Sequence, residues 1–218
     1  MRSWSQEGED QILRRIFEQQ ATGFYVDVGA HHPMRFSNTY LFYRRGWSGI
    51  NIDAMPGSMQ AFNKKRPKDI NIESGVGLES GEKEYYIFNE PALNGFSKQI
   101  SAQRNEAESS FEIIDVKKIY VETLEKILNS NLKSGQIIDF FSIDVEGLDF
   151  EVLQSNNWTK YRPRYVLVEI LGSRLCELEQ SEIARFMFEN GYVIYAKCLN
   201  TVFFKDIRSE PRSSISAA

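Results

Sequence analysis

Two cysteines, two histidines and six prolines in 218 residues leave little for several kinds of chemistry. Cys176 and Cys198 cannot build a disulfide framework and lack metal-type pairing, so reduced structural thiols in a cytoplasmic protein are the expectation. No apolar run approaches the ~18 residues of a membrane span. The N-terminal stretch MRSWSQEGEDQILRRIFEQQ has no apolar segment after its first arginine, and so reads as an amphipathic helix, not a signal peptide. Positive charge is also in deficit, with 26 Lys and Arg against 30 Asp and Glu and a net charge of −4. That balance argues against a nucleic-acid partner. The chain does have a substantial apolar fraction, 42% hydrophobic and 13% aromatic, enough for a packed core. The length fits a single domain over 1–218.

Apolar periodicity predicts a helix from about Glu7 to Gln20 within an N-terminal segment 1–22, then the buried strand FYVDV. FSNTYLFYRRG reads as a helix capped by Ser37 or Asn38 and closed by Gly46. WSGINID is the next strand, Pro56 opens a helix running to about Lys65, and DINIESGVG is a third strand. Strands alternating with short helices indicate a Rossmann-like, doubly wound α/β fold of about seven mostly parallel strands. The rhythm breaks over 84–121, where EKEYYIFNE and FEIIDVKKIYV look like strands separated by some twenty polar residues, an inserted acceptor loop. It resumes with VETLEKIL, IIDFFSIDVEG, DFEVLQS, RYVLVEI and EQSEIARFMFENG. YVIYAKCLNTVFFKD reads as a closing antiparallel hairpin, and 207–218 as a flexible tail.

Acids mark the ends of four strands: Asp27, Asp53, the pair Asp144 and Glu146, and Glu169. Ligands of open α/β sheets sit beyond the carboxyl ends of the strands, so these residues are expected to share a rim. An acid after the second strand can accept both hydrogen bonds of a ribose diol. A dinucleotide would then need G-x-G-x-x-G in the first turn, but residues 29 to 34 are G-A-H-H-P-M. His31 replaces the second glycine and Pro33 has no N–H. S-adenosylmethionine carries no phosphate and has a cationic sulfonium, so one glycine and an acidic rim suit it better.

Five stretches in order, SQEGEDQIL, DVGAHHPMRFSNTY, GWSGINIDAMP, FSIDVEG and LVEI, resemble the FkbM-type methyltransferase family over Ser5 to Lys205. The resemblance implies S-adenosylmethionine as methyl donor and transfer mostly to hydroxyl oxygens, of surface-polysaccharide sugars or of secondary metabolites. It implies that Asp27, Gly29 and Ala30 line the donor site, that Asp53 holds the ribose with Ala54 beside it, and that Gly75 and Val76 flank the adenine. By motif position Gln6, Asp10 and Asn38 close over the methionine end, the alternative being that they cap and orient the N-terminal helix.

A hydroxyl acceptor calls for a general base. Asp144 and Glu146 are candidates, either as adjacent carboxylates with one pKa driven up or as a Mg²⁺ site with Glu169 as third ligand. His32 is a second base candidate and His31 a substrate-binding one. Adjacent residues of an extended loop point opposite ways, so at most one faces the acceptor while the other bonds backbone or packs beneath the loop. The sequence leaves open which does which. In the inserted loop Asn94, Phe96, Ser97 and Lys98 mix a stacking face with polar groups suited to a sugar, and Lys98 with Arg104 would pair with the phosphates of a nucleotide-linked sugar. The expected partner is a small sugar or nucleotide-sugar acceptor, used in bacterial surface-polysaccharide synthesis. A cofactor-binding scaffold without catalysis is the alternative, and homo-oligomer formation is left open.

Overall fold

The computed structural model describes residues 2–97, 110–172 and 174–208; Lys98, Arg104 and the tail beyond Arg208 lie outside them. Among the described residues a seven-stranded sheet has the order β3-β2-β1-β7-β8-β10-β9. Its strands are β1 (Phe24–Val28), β2 (Ser48–Asp53), β3 (Ile70–Glu73), β7 (Phe140–Ile143), β8 (Tyr165–Glu169), β9 (Tyr192–Cys198) and β10 (Thr201–Asp206). The first three, β7 and β8 are parallel, while β10 returns antiparallel on β8 and β9 antiparallel on β10. This is the doubly wound α/β architecture expected from the sequence, closed by the C-terminal hairpin.

Alternation along the strands builds two cores. Val26, Val28, Ile50 and Ile52 face helices α4 (Leu124–Asn131), α5 (Asp149–Gln154) and α6 (Glu182–Glu189), packing on Leu128, Leu153 and Met187. Tyr25 and Phe140 face α1 (Glu9–Ile16) and α2 (Tyr40–Arg44), meeting Leu13, Phe17 and Phe42. Phe17 is the hub of that second core, with the rings of Trp47, Tyr165, Phe140 and Phe42 at 5.2–6.1 Å. Truncation of such a residue to alanine costs about 3–5 kcal/mol.

Several boundaries differ from the sequence expectation. The first helix is shorter, because Ser5 Oγ accepts the Gly8 and Asp10 N–H groups and organises the chain ahead of it. Helix α2 begins at Tyr40, whose N–H goes to Ser37 Oγ at 3.1 Å, so Ser37 and not Asn38 supports its start. Pro56 lies in the turn before α3 (Ser58–Lys65) rather than inside it. DINIESGVG is two strands, not one. The Ser74 N–H donates to Asp53 O (3.0 Å), and the chain then leaves the main sheet. Its continuation, β4 (Gly75–Val76), joins β5 (Gly81–Phe88) and β6 (Ile113–Glu122) in a separate sheet of order β4-β6-β5. No described helix is long and apolar enough to cross a membrane.

Candidate active site

A cavity of about 850 Å³, its open mouth included, lies beyond the carboxyl ends of β1, β2 and β7. Its floor is the turn after β1. Gly29 has φ +80°, and a Cβ there would stand 1.8 Å from the Asp144 carbonyl oxygen. Only glycine lets the β1 and β7 loops meet backbone to backbone.

The amides of this turn are all committed. Gly29 and Ala30 donate to Ile52 O, His32 donates to Ala30 O, and His31 donates to Asp53 Oδ2 at 2.8 Å. Met34 and Arg35 both donate to His32 Nδ1 (3.0 and 2.9 Å), and Pro33 has no N–H. No amide from Gly29 to Arg35 is left for a pyrophosphate.

Asp53 stands at the end of β2, buried, with Oδ1 accepting the Met55 N–H at 2.8 Å. Each of its oxygens therefore holds one backbone donor and keeps capacity for another. Burial raises its pKa, against the pull of those two hydrogen bonds.

Asp144 and Glu146 follow β7, and both line the cavity. Glu146 has φ +57° and Gly147 φ +97°; the left-handed pair turns the chain away after the second carboxylate. Asp149 holds this loop in place, Oδ1 accepting the Val145 N–H (3.3 Å) and Oδ2 the Gly147 N–H (3.2 Å). The Asp144 carboxyl is enclosed by protein yet open to water through the cavity. Desolvation, then the charges of Glu169, Glu146, Asp27 and Glu9, push its pKa well upward. Burial followed by the Asp144 charge pushes Asp149 up to about 7.

The two histidines separate. His31 (φ +51°) lines the cavity with Phe36 (φ +55°), their rings near-parallel at 6.4 Å. His32 does not line it; its Nδ1 ties down the loop, and burial lowers the pKa of both imidazoles. Three non-glycine residues in the left-handed region, His31, Phe36 and Glu146, thus border one cavity, a concentration of backbone strain typical of functional sites.

The second sheet supplies the opposite wall. Gly75 admits the Phe96 ring, whose Cζ would lie 2.6 Å from a Cβ at that position. Tyr85 meets Phe96 at 4.8 Å, and Asn94 is pinned by donation from the Phe88 N–H at 2.8 Å. Gly95 pairs back onto Tyr86, which folds the start of the inserted loop against β5.

Of the sequence candidates, Gln6, Gly29, His31, Asp53, Ala54, Gly75, Val76, Asn94, Phe96, Asp144 and Glu146 come together around the cavity. The others lie outside its lining. Asp10 is buried and accepts from Ser3 Oγ (2.7 Å), the Trp4 N–H (2.8 Å) and Ser5 Oγ (3.1 Å), fixing the strap that carries Gln6. Asp27 shares the α1–α2 face with Tyr25 and accepts from Thr39 Oγ1 at 2.7 Å. Asn38 donates to Ser142 Oγ at 3.1 Å, and Ala30 packs with Met59 and Phe62. Ser97 is half-buried, and Glu169 acts on Asp144 through its charge. Among the described residues no His, Cys, Asp or Glu cluster could hold a metal ion. Phe36, Met55, Ser74 and Tyr85 also line the cavity. Of these only Tyr85 carried a signal, as the first buried residue where β5 turns from polar alternation to an apolar run.

The Methyltransferase FkbM domain matches residues 27–194, which is most of the chain and holds every cavity residue except Gln6. The chain belongs to the FkbM methyltransferase family. It is a methyltransferase, and the cavity at the strand ends is where this FkbM domain keeps its acids and its glycine turn. Curated proteins give no match. Among solved structures, a presumed RNA methyltransferase from Pyrococcus horikoshii is similar at 10% identity and TM-score 0.47, over 92% of this chain and 83% of that one. That likeness is too distant to bear on the acceptor.

Proposed function

We infer that this FkbM protein is an S-adenosylmethionine-dependent O-methyltransferase acting on a hydroxyl of a sugar or nucleotide-linked sugar. The observation that carries the donor assignment is the closed set of amides from Gly29 to Arg35 beside a half-satisfied Asp53. Such a turn offers nothing to a pyrophosphate but leaves a carboxylate free to accept from a ribose diol. Two acidic side chains with no lysine or arginine at ion-pair distance among the described residues, Asp53 and Asp144, favour a cationic ligand.

When bound, S-adenosylmethionine supplies an electrophilic methyl group on a sulfonium. Asp53 would hold its ribose and Ala54 lie beside it; Gly75 and Val76 would flank the adenine, and Gln6 would close the methionine end. Asp10, Asp27 and Asn38 act at one remove, fixing the strap and the loop behind the turn. Asp144 would receive the proton of the acceptor hydroxyl. Its pKa, raised by desolvation and then by the neighbouring acids, would make it a stronger base than an ordinary carboxylate, a role worth ~10²–10⁴-fold. Tyr85 and Phe96 give the acceptor an apolar ring face beside the amide of Asn94, a combination that suits a sugar.

Thermal unfolding with saturating S-adenosylhomocysteine or NADH tests the donor assignment, because a ligand bound only by the native state raises Tm. A rise with S-adenosylhomocysteine alone is expected. A rise with NADH alone sinks the reading. Methyl transfer from labelled donor to a panel of sugar nucleotides then tests the acceptor class.

A further inference from the structure

The three-stranded sheet leaves one long edge open. β6 has ten residues, and β4 covers only its end, pairing Gly75 with Val121 and Val76 with Glu122. Among the described residues no strand pairs with that edge between Ile114 and Lys118. The strand on the other side fixes which groups point there. Tyr86 exchanges both backbone hydrogen bonds with Gly95 (2.9 and 3.2 Å), so Val116, opposite Tyr86, turns its N–H and C=O away from β5. Only the carboxylate of its own neighbour stops this edge amide: Asp115 Oδ1 accepts the Val116 N–H at 2.8 Å. Along one face of the same strand, Ile114, Val116 and Tyr120 are 62%, 45% and 57% exposed. An open, apolar edge of this kind is a template for another strand.

We propose that two copies of this chain associate through β6, antiparallel, about a two-fold axis at Val116. The charges select the partner and the register. An axis at Asp115 would set two carboxylates opposite each other, and an axis at Lys117 or Lys118 two ammonium groups. An axis at Ile114 matches no charge, since Asp115 then meets Ile113. With the axis at Val116, Asp115 of each copy faces Lys117 of the other, twice, in the non-hydrogen-bonded positions where side chains approach most closely. Ile114 then lies against the aliphatic stem of Lys118, and the two Val116 residues exchange N–H···O=C bonds. The pairing exchanges one exposed intrachain contact in each copy, Lys117 Nζ to Asp115 Oδ2 at 3.6 Å, for two between chains, and it frees the Val116 amide for a backbone acceptor.

Sedimentation velocity on the full chain over a range of concentrations tests this, with far-UV circular dichroism as a check on folding. A reversible dimer is expected. Asp115→Lys or Lys117→Asp alone sets like charges opposite each other twice and weakens it at least about tenfold; the double exchange restores it. Val116→Pro removes an N–H that faces away from β5, so the fold should persist while the dimer weakens. A protein that stays monomeric at every concentration overturns the proposal. So does a dimer indifferent to the single charge reversals, or one that the double exchange fails to rescue.

Discussion

On the α1–α2 face of the sheet, Asp27 and Asp69 are gathered around the buried guanidinium of Arg66, whereas the cavity carboxylates Asp53 and Asp144 have no lysine or arginine at ion-pair distance among the described residues. Arg66 donates to Asp69 Oδ2 (2.8 Å), to the Tyr25 hydroxyl (2.8 Å) and to Thr39 Oγ1 (2.9 Å); the Thr39 hydroxyl donates in turn to Asp27 Oδ2. Asp69 also takes the Gly49 N–H and the Asn51 amide. Both carboxylates of that group find their donors within the fold. Asp53 is held by two backbone amides that orient it without neutralising it, and Asp144 is pressed toward its protonated form by desolvation and then by surrounding acids. Acids gathered around a guanidinium are architecture; Asp53 and Asp144, at a cavity, are placed for a cation or a proton.

The comparison breaks most visibly if Arg66 is removed. Arg66→Ala leaves the buried Asp69 carboxylate without its counter-charge, and chemical denaturation should show a loss of about 3–5 kcal/mol. The affinity of the remaining folded protein for S-adenosylhomocysteine should hardly move. On the cavity side the pattern inverts. Asp144→Asn should lower the methyl-transfer rate by ~10²–10⁴-fold while calorimetry finds donor affinity within a few-fold of wild type. If rate and affinity fell together, Asp144 would be a binding residue and not the base. Asp53→Ala is expected to raise the S-adenosylhomocysteine Kd on the order of tenfold or more, by removing a charged acceptor worth ~1.5–3 kcal/mol, with little loss of stability.

Asp149 gives the smallest and most selective effect. Its folded pKa of about 7 stands above the unfolded value of ~3.9, so between those two pH values the native state alone keeps the proton. Stability should therefore fall as pH rises through that window, by on the order of 1–3 kcal/mol. Asp149→Asn should remove this part of the slope in denaturation curves at pH 5 and 8. A slope unchanged by the substitution would move its origin to Asp53 or Asp144, whose pKa values are raised in the same direction.

Strand identities were legible because apolar runs such as FYVDV and FFSI can only be buried on both faces. The glycine turn was legible because Gly29 is flanked by residues that no phosphate site tolerates. The acids were half legible. Reading them all as one rim used their positions at strand ends and ignored alternation, which puts Asp27 on the face of Tyr25 and against Thr39. Proximity across the sheet was not readable: the strap that brings Gln6 to the cavity depends on Asp10 collecting three donors from residues 3–5. Nor was the split of DINIESGVG, which turns on one backbone bond from Ser74 to Asp53 that leaves no mark in side-chain pattern. Phe36 and Tyr85 were not singled out, because their place on the cavity depends on the second sheet standing across it.

The contact at Gly29 has a consequence for how such a protein can diversify. The turn after β1 and the loop after β7 abut through the Gly29 and Asp144 main chain, with no room for a methyl group between them, so their spacing depends little on side-chain drift elsewhere. The facing wall is carried by β5 and the loop after it, through Tyr85, Asn94 and Phe96. If the proposed function holds, exchanging that wall would change acceptor preference and leave the geometry of the glycine turn as it is.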